Sequence, residues 1–429
     1  METSVLSRRA PARTKTSAGL IRALTALSAA LSLPASAQLQ ITFVDLNPAG
    51  SMEFRARAVD GAWQVGTASV GGGTHAARWS GSAGSFVDLH PAGASSSEAF
   101  GLGDARQSGY VMIDNTTSHA ALWSGTPSSF VDLNPRARRY SVACAADGPR
   151  QAGWTSAGSW PDIYYRAALW SGSADSWVEL HPPGAASSAV YGVCGSRQAG
   201  YASTNGYHAA LWSGTAESFV DLHPAGASAS EALGLSRTQQ SGYAAFEGRH
   251  AALWSGTAAS FVDLHPAGAS DSIASATSGS HQVGRAMLNG VWHAALWSGT
   301  AASFVDLGQA LGDRYGTSEA LSIWTGGATS FVAGYAQQVS SAQMHAILWT
   351  VIESPTPPRL ELAHAESAGG MLVVTLTWTN HNTPCVLEST AKLTGGWNTV
   401  SAPLTTNANW ILSTVTNAAS AQFFRLRGT

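Results

Sequence analysis

Apolar and polar residues fall into four short words that return along the chain in a fixed order. The first ends in Leu-Trp-Ser-Gly or a close variant and carries Trp79, Trp123, Trp170, Trp212, Trp254, Trp297 and Trp349. The second is Phe-Val-Asp-Leu or a near copy, beginning at Phe43, Phe86, Phe130, Trp177, Phe219, Phe261 and Phe304. The third is small and apolar, as from Glu98 to Gly103 or Glu231 to Ser236, and the fourth centres on Gln-x-Gly-Tyr, as at Gln107–Tyr110 and Gln240–Tyr243. Each word has about four to seven residues and is bounded by Gly, Ser, Asn or Pro, the length and punctuation of a β-strand. Most intervals between the tryptophans are 42–44 residues. Four strands in such a period predict one β-propeller blade per repeat.

Side chains alternate faces along a strand. In His250-Ala-Ala-Leu-Trp254 this sets His250, Ala252 and Trp254 on one face and Ala251 and Leu253 on the other. Both faces are apolar, as expected of a sheet packed between two neighbours. The Ala- and Gly-rich third word suits the innermost strand, where copies converge on an axis. Ser255–Ser260 reads as a hairpin turn, and the His-Pro-Ala-Gly-Ala-Ser segments return the chain to the next inner strand. The array opens with an unpartnered Phe43 word and ends with an unpartnered Leu348-Trp349 word. Pairing the two closes seven blades without a free edge.

Composition supports this picture and excludes others. Only 11% of the 429 residues are charged, 45% are apolar, and there are 45 glycines. That profile fits short strands and tight turns and is too apolar for a disordered chain. A net charge of −3, with Lys392 the only lysine after the first forty residues, gives no electrostatic case for nucleic acid. Arg8, Arg9, Arg13, Lys15 and Arg22 precede an apolar run to Leu33, and Ala35-Ser36-Ala37 follows. This pattern predicts a signal peptide over 1–37, a mature start near Gln38 and a secreted or cell-surface location. No later segment is long enough to span a bilayer. Three cysteines make no disulfide framework; Cys144 and Cys194 fall in consecutive repeats, so a bridge between them stays open.

With His-Ala-Ala-Leu-Trp, Asp-Leu and Gln-x-Gly-Tyr in this order, the chain resembles the HAF repeat family of bacterial extracellular proteins over residues of about 40–350. The resemblance implies an extracellular propeller and no reaction. Ala121, Ala210, Ala252 and Ala295 stand where that family has Phe. The expected organisation is a propeller over 38–353, a Pro-rich linker at 354–359 and a C-terminal β-sandwich module at 360–429. The tail's strand-like words are 371–378, 385–390, 410–415 and 421–427, and they resemble a C-terminal module of secreted bacterial proteins.

Two histidine rows accompany the repeat. His75, His119, His208, His250, His293 and His345 form one, with Arg166 in the seventh place. His90, His181, His223 and His265 form the other, with Asn47 and Asn134 substituting. An acid recurs as Asp45, Asp88, Asp132, Glu179, Asp221, Asp263 and Asp306. Buried unpaired carboxylates are too costly to repeat seven times. These rows therefore read as structural hydrogen bonds, with no metal and no cofactor. Binding is expected where copies differ: the aromatic loop with Trp154, Trp160, Tyr164 and Tyr165, and the stretch from Trp324 to 343. Neither H-E-x-x-H, G-x-S-x-G, a Walker loop nor an EF-hand loop is present. The function expected on these grounds is a secreted, monomeric, non-enzymatic protein that binds an extracellular glycan or protein. The alternative is a carbohydrate-active hydrolase or lyase with its site on one face of the propeller.

Overall fold

The structure, a computed structural model, describes residues 39–48, 53–136, 138–157, 164–353 and, from 360 on, strand segments. The expected signal peptide, Trp160, the linker 354–359 and the side chain of Cys385 lie outside the described residues. Gln40–Ile352 form one compact unit, and the C-terminal strands belong to another.

The larger unit is a seven-bladed β-propeller with four antiparallel strands per blade. Blade 5 shows the plan: an inner strand Ala229–Leu235, a second Gln240–Ala245, a third Arg249–Trp254 and an outer strand of two residues, Val262–Asp263. Its Phe261 word is thus mostly turn. Ser255–Ser260 contains a 3-10 turn, Ala258–Ser260, in which the Ser260 hydroxyl donates to the Thr257 carbonyl and accepts the Ser255 amide at 2.7 Å.

The fourth word owes its Gln and Gly to this geometry. Gln198 Oε1 accepts the Gly214 amide at 2.8 Å and its Nε2 donates to the Ser196 carbonyl at 2.9 Å, which ties two turns together. Gln64, Gln107 and Gln151 repeat both bonds. Two residues on, the glycine lies against the inner strand. A Cβ on Gly242 would sit 1.9 Å from the Glu231 carbonyl oxygen, and Gly109 is equally close to Glu98. Every inner strand also carries a bulge, as between Ala232 and Gly234, and that of blade 7 has a second irregularity between Tyr315 and Ser318. Bulges raise local twist.

The core is a chain of clusters that straddle blades. Trp254 and Ala252 of blade 5 pack on Leu211 and Leu222 of blade 4, and all seven tryptophans of the first word are fully buried. Inner strands touch their neighbours all the way round, blade 7 against blade 1 included. The strand Leu39–Asp45 completes blade 7 beside Met344–Glu353, so the order from the outside is first strand, third, second, inner. Phe43 meets Tyr315 edge-on at 6.1 Å. The C-terminal unit holds one sheet of four strands, Leu360–Ala368, Met371–Thr379, Trp410–Asn417 and Leu404–Thr406, and another of three. Leu360–Ala368 was not marked as a strand by the sequence pattern.

Candidate functional site

One register position distinguishes the blades from one another. The cross-strand pair it defines, inner strand to second strand, is Arg55 with Thr67 in blade 1, Glu98 with Tyr110 in blade 2 and Val142 with Trp154 in blade 3. It continues as Ala189 with Tyr201, Glu231 with Tyr243, Ile273 with Arg285 and Glu319 with Tyr335. The third-strand partner is alanine in every blade, for instance Ala120, Ala251 and Ala346. That alanine leaves room for a large side chain on the second strand. The second- and third-strand members face the following blade: Ala120, Ala209 and Ala251 pack against it, and Thr67, Arg285 and Tyr335 reach Glu98, Glu319 and Arg55 there, so neighbouring blades share what they offer.

From blade 6 through blade 7 and blade 1 to blade 2 the position carries a continuous polar run. Arg285 donates to Glu319 at 2.8 Å, and the Tyr335 hydroxyl donates to the same carboxylate at 2.7 Å. Arg55 lies over the Tyr335 ring, 5.1 Å from its centroid. Arg57, the bulged residue beside it, pairs with Glu98 at 3.4 Å, while Thr67 and Tyr110 donate to Glu98 at 3.1 and 2.9 Å. In blade 5 the Tyr243 hydroxyl donates to Glu231 at 2.9 Å. Blades 3 and 4 present a different half-ring: Tyr201 is nearly buried, 5.0 Å from Tyr207 and 6.0 Å from Tyr191.

Burial sets the protonation of this ring. It raises the Glu231 carboxyl above its ordinary value, against the Tyr243 bond and the nearby Arg249 charge, which both favour ionisation. Burial, then the facing carboxylate, pushes Tyr335 up to about 12 and raises Tyr110 and Tyr243 as well. The phenols therefore stay protonated at neutral pH and act as donors. Arg57 Nε and Arg285 Nε are buried with no partner among the described residues.

The aromatic residues singled out by sequence separate into two places. Trp154 occupies the varying position itself, and its ring lies 4.4 Å from Tyr165, which with Tyr164 is exposed at the start of the third strand. Trp324 lies at the other end of its blade, near the hairpin that joins inner and second strands, stacked on Phe331 at 5.9 Å. It packs against the blade 7–blade 1 core cluster. The stretch 324–343, read as a loop, is mostly strand: Tyr315–Gly326 ends in it and Thr329–Gln338 runs through it.

The histidine rows link blades and turns. His119, His208, His250 and His293 each contact the acid thirteen residues later, Asp132, Asp221, Asp263 and Asp306, at 2.7–2.8 Å. His75 and Asp88 do the same at 2.8 Å. The other oxygen of Asp88, Asp221 or Asp263 accepts the amide two residues on. Four of these carboxylates are well exposed, Asp263 to 45%, whereas Asp306 is buried at 7%. In blade 3 the longer pair Arg166–Glu179 spans 2.6 Å, and Arg138 joins it at 2.8 Å. Cys144 and Cys194 are free thiols, and burial pushes Cys144 up to about 12. No cluster of three or more His, Cys, Asp or Glu suited to a metal ion occurs among the described residues, and no helix there is long and apolar enough to cross a membrane.

No protein-family model and no curated protein matches the chain. Solved structures similar in fold are propeller-containing peptidases. A puromycin hydrolase aligns with a TM-score of 0.45 at 10% identity, over 79% of this chain and 62% of its own. A puromycin-hydrolyzing peptidase of Mycobacterium tuberculosis gives 0.43 at 14%, over 78% and 59%. The β-propeller domain of the trilobed protease from Pyrococcus furiosus gives 0.42 at 7%, over 70% and 93%. The chain spans about three fifths of the length of the first two. At these values the likeness concerns fold and assigns no activity. The expectation of a non-enzymatic binding protein is corrected only to this extent: the solved structures similar in fold are named as hydrolases and peptidases. The absence of short motifs could not decide that expectation, because carboxyls brought together from separate blades leave no motif. Glu98, Glu231 and Glu319 were passed over although they sit at a strand position where copies disagree.

Proposed function

We propose that the chain is a carbohydrate-active hydrolase or lyase working at the end of the ring where second and third strands join. The reading is carried by one observation: three carboxyl–phenol pairs, Glu98–Tyr110, Glu231–Tyr243 and Glu319–Tyr335, at the same register position of different blades. Glu231, whose carboxyl burial holds above the usual range, is suited to donate a proton to a leaving glycosidic oxygen. The charged run across blades 6, 7, 1 and 2 is suited to orient hydroxyl-rich chains. Trp154, Tyr164 and Tyr165 offer flat apolar faces with polar edges at the same strand ends, a suitable platform for sugar rings.

The Arg-rich segment ending at Ala37 supports an exported enzyme, and the word order resembling HAF repeats supports an extracellular setting. Sequencing the N-terminus of protein from culture medium tests export; a start near Gln38 is expected. The activity is tested by incubating the full chain with a polysaccharide panel and measuring new reducing ends and unsaturated products. Release by wild type with loss in Glu231→Gln supports the reading. Cleavage of peptides in place of glycans overturns it.

A further inference from the structure

A half-open cleft of about 200 Å³ is lined by blade 1, through Glu53, Arg55, Arg57, Thr67 and Thr74 among others, and by Glu98 of blade 2. Ligand pockets for drug-sized molecules run from ~300 to 1,000 Å³, so this cleft takes a single small ring. Its charged lining is balanced, two guanidiniums against two carboxylates. An anionic ligand that met Arg55 and Arg57 would also meet Glu53 and Glu98, and a cationic one would meet the converse. A neutral ligand with adjacent hydroxyls suits both: each hydroxyl donates to a carboxylate and accepts from a guanidinium. Thr74 adds a hydroxyl that can do either, and Thr67, whose proton goes to Glu98, adds an acceptor. Glu98 is already fixed by Arg57, Thr67 and Tyr110 at 3.4, 3.1 and 2.9 Å, so part of the cleft is ordered before anything binds. Phe54 contributes the apolar part of the wall. Among the described residues two other junctions differ: blade 7 against blade 6 has Arg285 committed to Glu319 at 2.8 Å, and blades 3 and 4 offer aromatic rings.

We infer that this cleft is a subsite for one uncharged monosaccharide unit, positioned by Arg57 and Glu98. The inference rests on the saccharide reading of the ring and names the chemistry of one of its places.

Titration calorimetry on the full chain tests it, with neutral methyl glycosides of glucose, galactose and mannose as probes and glucuronate and glucosamine as charged controls. The expected result is saturable binding of at least one neutral glycoside, weakened about tenfold or more in Arg57→Gln and in Thr67→Val. Both variants should melt within about 2 °C of wild type; Glu53→Gln, at the exposed margin, serves as a further variant if Arg57→Gln melts early. Binding of neither neutral glycosides nor charged sugars overturns the subsite, as does tighter binding of glucuronate or glucosamine. Catalysis is scored apart, with Glu231→Gln, which does not line the cleft. Polysaccharide turnover without glycoside binding removes the subsite and leaves the enzyme; glycoside binding without turnover does the reverse.

Discussion

Asp45 and His345 stand 300 residues apart in sequence, yet the Asp45 carboxylate lies 2.9 Å from the His345 ring nitrogen. Tyr315 donates to the same carboxylate at 2.7 Å and Arg314 at 3.3 Å. Leu46 and Asn47 extend the seam through the Ala346 backbone at 2.9 and 2.8 Å. The same His–Asp contact that repeats inside other blades here joins the two ends of the ring. Deleting residues 40–48 removes a whole strand, about four or five backbone bonds at ~0.5–1.5 kcal/mol each, besides buried Leu46. The melting temperature should fall sharply, and an unchanged melt by circular dichroism would show that the ring does not close this way.

Asp45→Ala isolates the seam from the strand. It leaves His345 and Tyr315 without their acceptor, at a cost of about 1–3 kcal/mol. Asp263→Asn in blade 5 perturbs only the local contact with His250 and the His265 amide. Denaturant titration of the two variants should rank Asp45→Ala as the more damaging. Equal losses would mean that closure adds nothing to an ordinary blade contact.

The glycine of Gln-x-Gly-Tyr is a steric requirement. Gly242→Ala would press a Cβ to 1.9 Å from the Glu231 carbonyl oxygen, a backbone atom that cannot step aside alone. The inner and second strands of blade 5 would have to part, costing more than about 3 kcal/mol. Gly226→Ala, in the His-Pro-Ala-Gly segment, has open space but φ +84°. It should lose less, about 1–2 kcal/mol from the left-handed backbone alone. A larger loss at Gly226 would refute the steric account.

What the sequence displayed and what it hid follow one physical distinction. Packing is repeated, so Trp254, Gln198 and the Phe43 word announced strands, turns and closure seven times over. The bulge beside Ala232 and the 3-10 turn at Ala258 left no separate signal, because strand and turn residues there are the same small, polar types. Tyr110 was read as part of a repeated strand word, and Glu98 as an incidental letter in a small apolar one. Only the register, which sets Glu98 against Tyr110 and leaves the Glu98 carboxylate within reach of Arg57 of the previous blade, makes them a site. Applying the rule that copies must vary where they bind to strand positions as well as loops would have exposed the row from Arg55 to Glu319. It would also have separated Trp154 from Trp324, which lies at the other end of the blade.

Glu231 is the discriminating residue for the proposed chemistry. Glu231→Gln keeps the size and an oxygen for the Tyr243 bond but cannot release a proton. Turnover should fall by about a hundredfold or more, within the usual range for general acid–base catalysis, with the melt nearly unchanged. Tyr243→Phe removes a donor that favours the ionised carboxyl, so the Glu231 pKa should rise further and the alkaline limb of the pH–rate profile, where a general acid loses its proton, should move up with it. A profile that ignores Tyr243→Phe would exclude Glu231 as the group that titrates.

Acid should weaken the ring through the second histidine row. His223 Nδ1 lies 2.8 Å from the Ser230 hydroxyl and Nε2 lies 3.0 Å from the Ala227 carbonyl. Ser230 Oγ already accepts the Ala209 amide at 2.9 Å, so its proton points at Nδ1 and the ring is neutral with hydrogen on Nε2. Desolvation lowers the His223 pKa, and the His208 ring stacked 3.9 Å away adds to it. His90 and His181 are lowered by burial too, the first beside His75 and the second beside Arg166. The unfolded chain then takes up protons before the folded one does. Stability is full above the ordinary histidine value of about 6.5 and drains away as pH falls through the lower folded values. The chain supplies the control itself: Asn134 fills this place in blade 2, accepting from Ser141 at 2.6 Å and donating to the Arg138 carbonyl at 2.8 Å. His223→Asn should therefore melt close to wild type at neutral pH and lose less than wild type below about pH 6. Parallel melting curves across that range would place the acid sensitivity elsewhere.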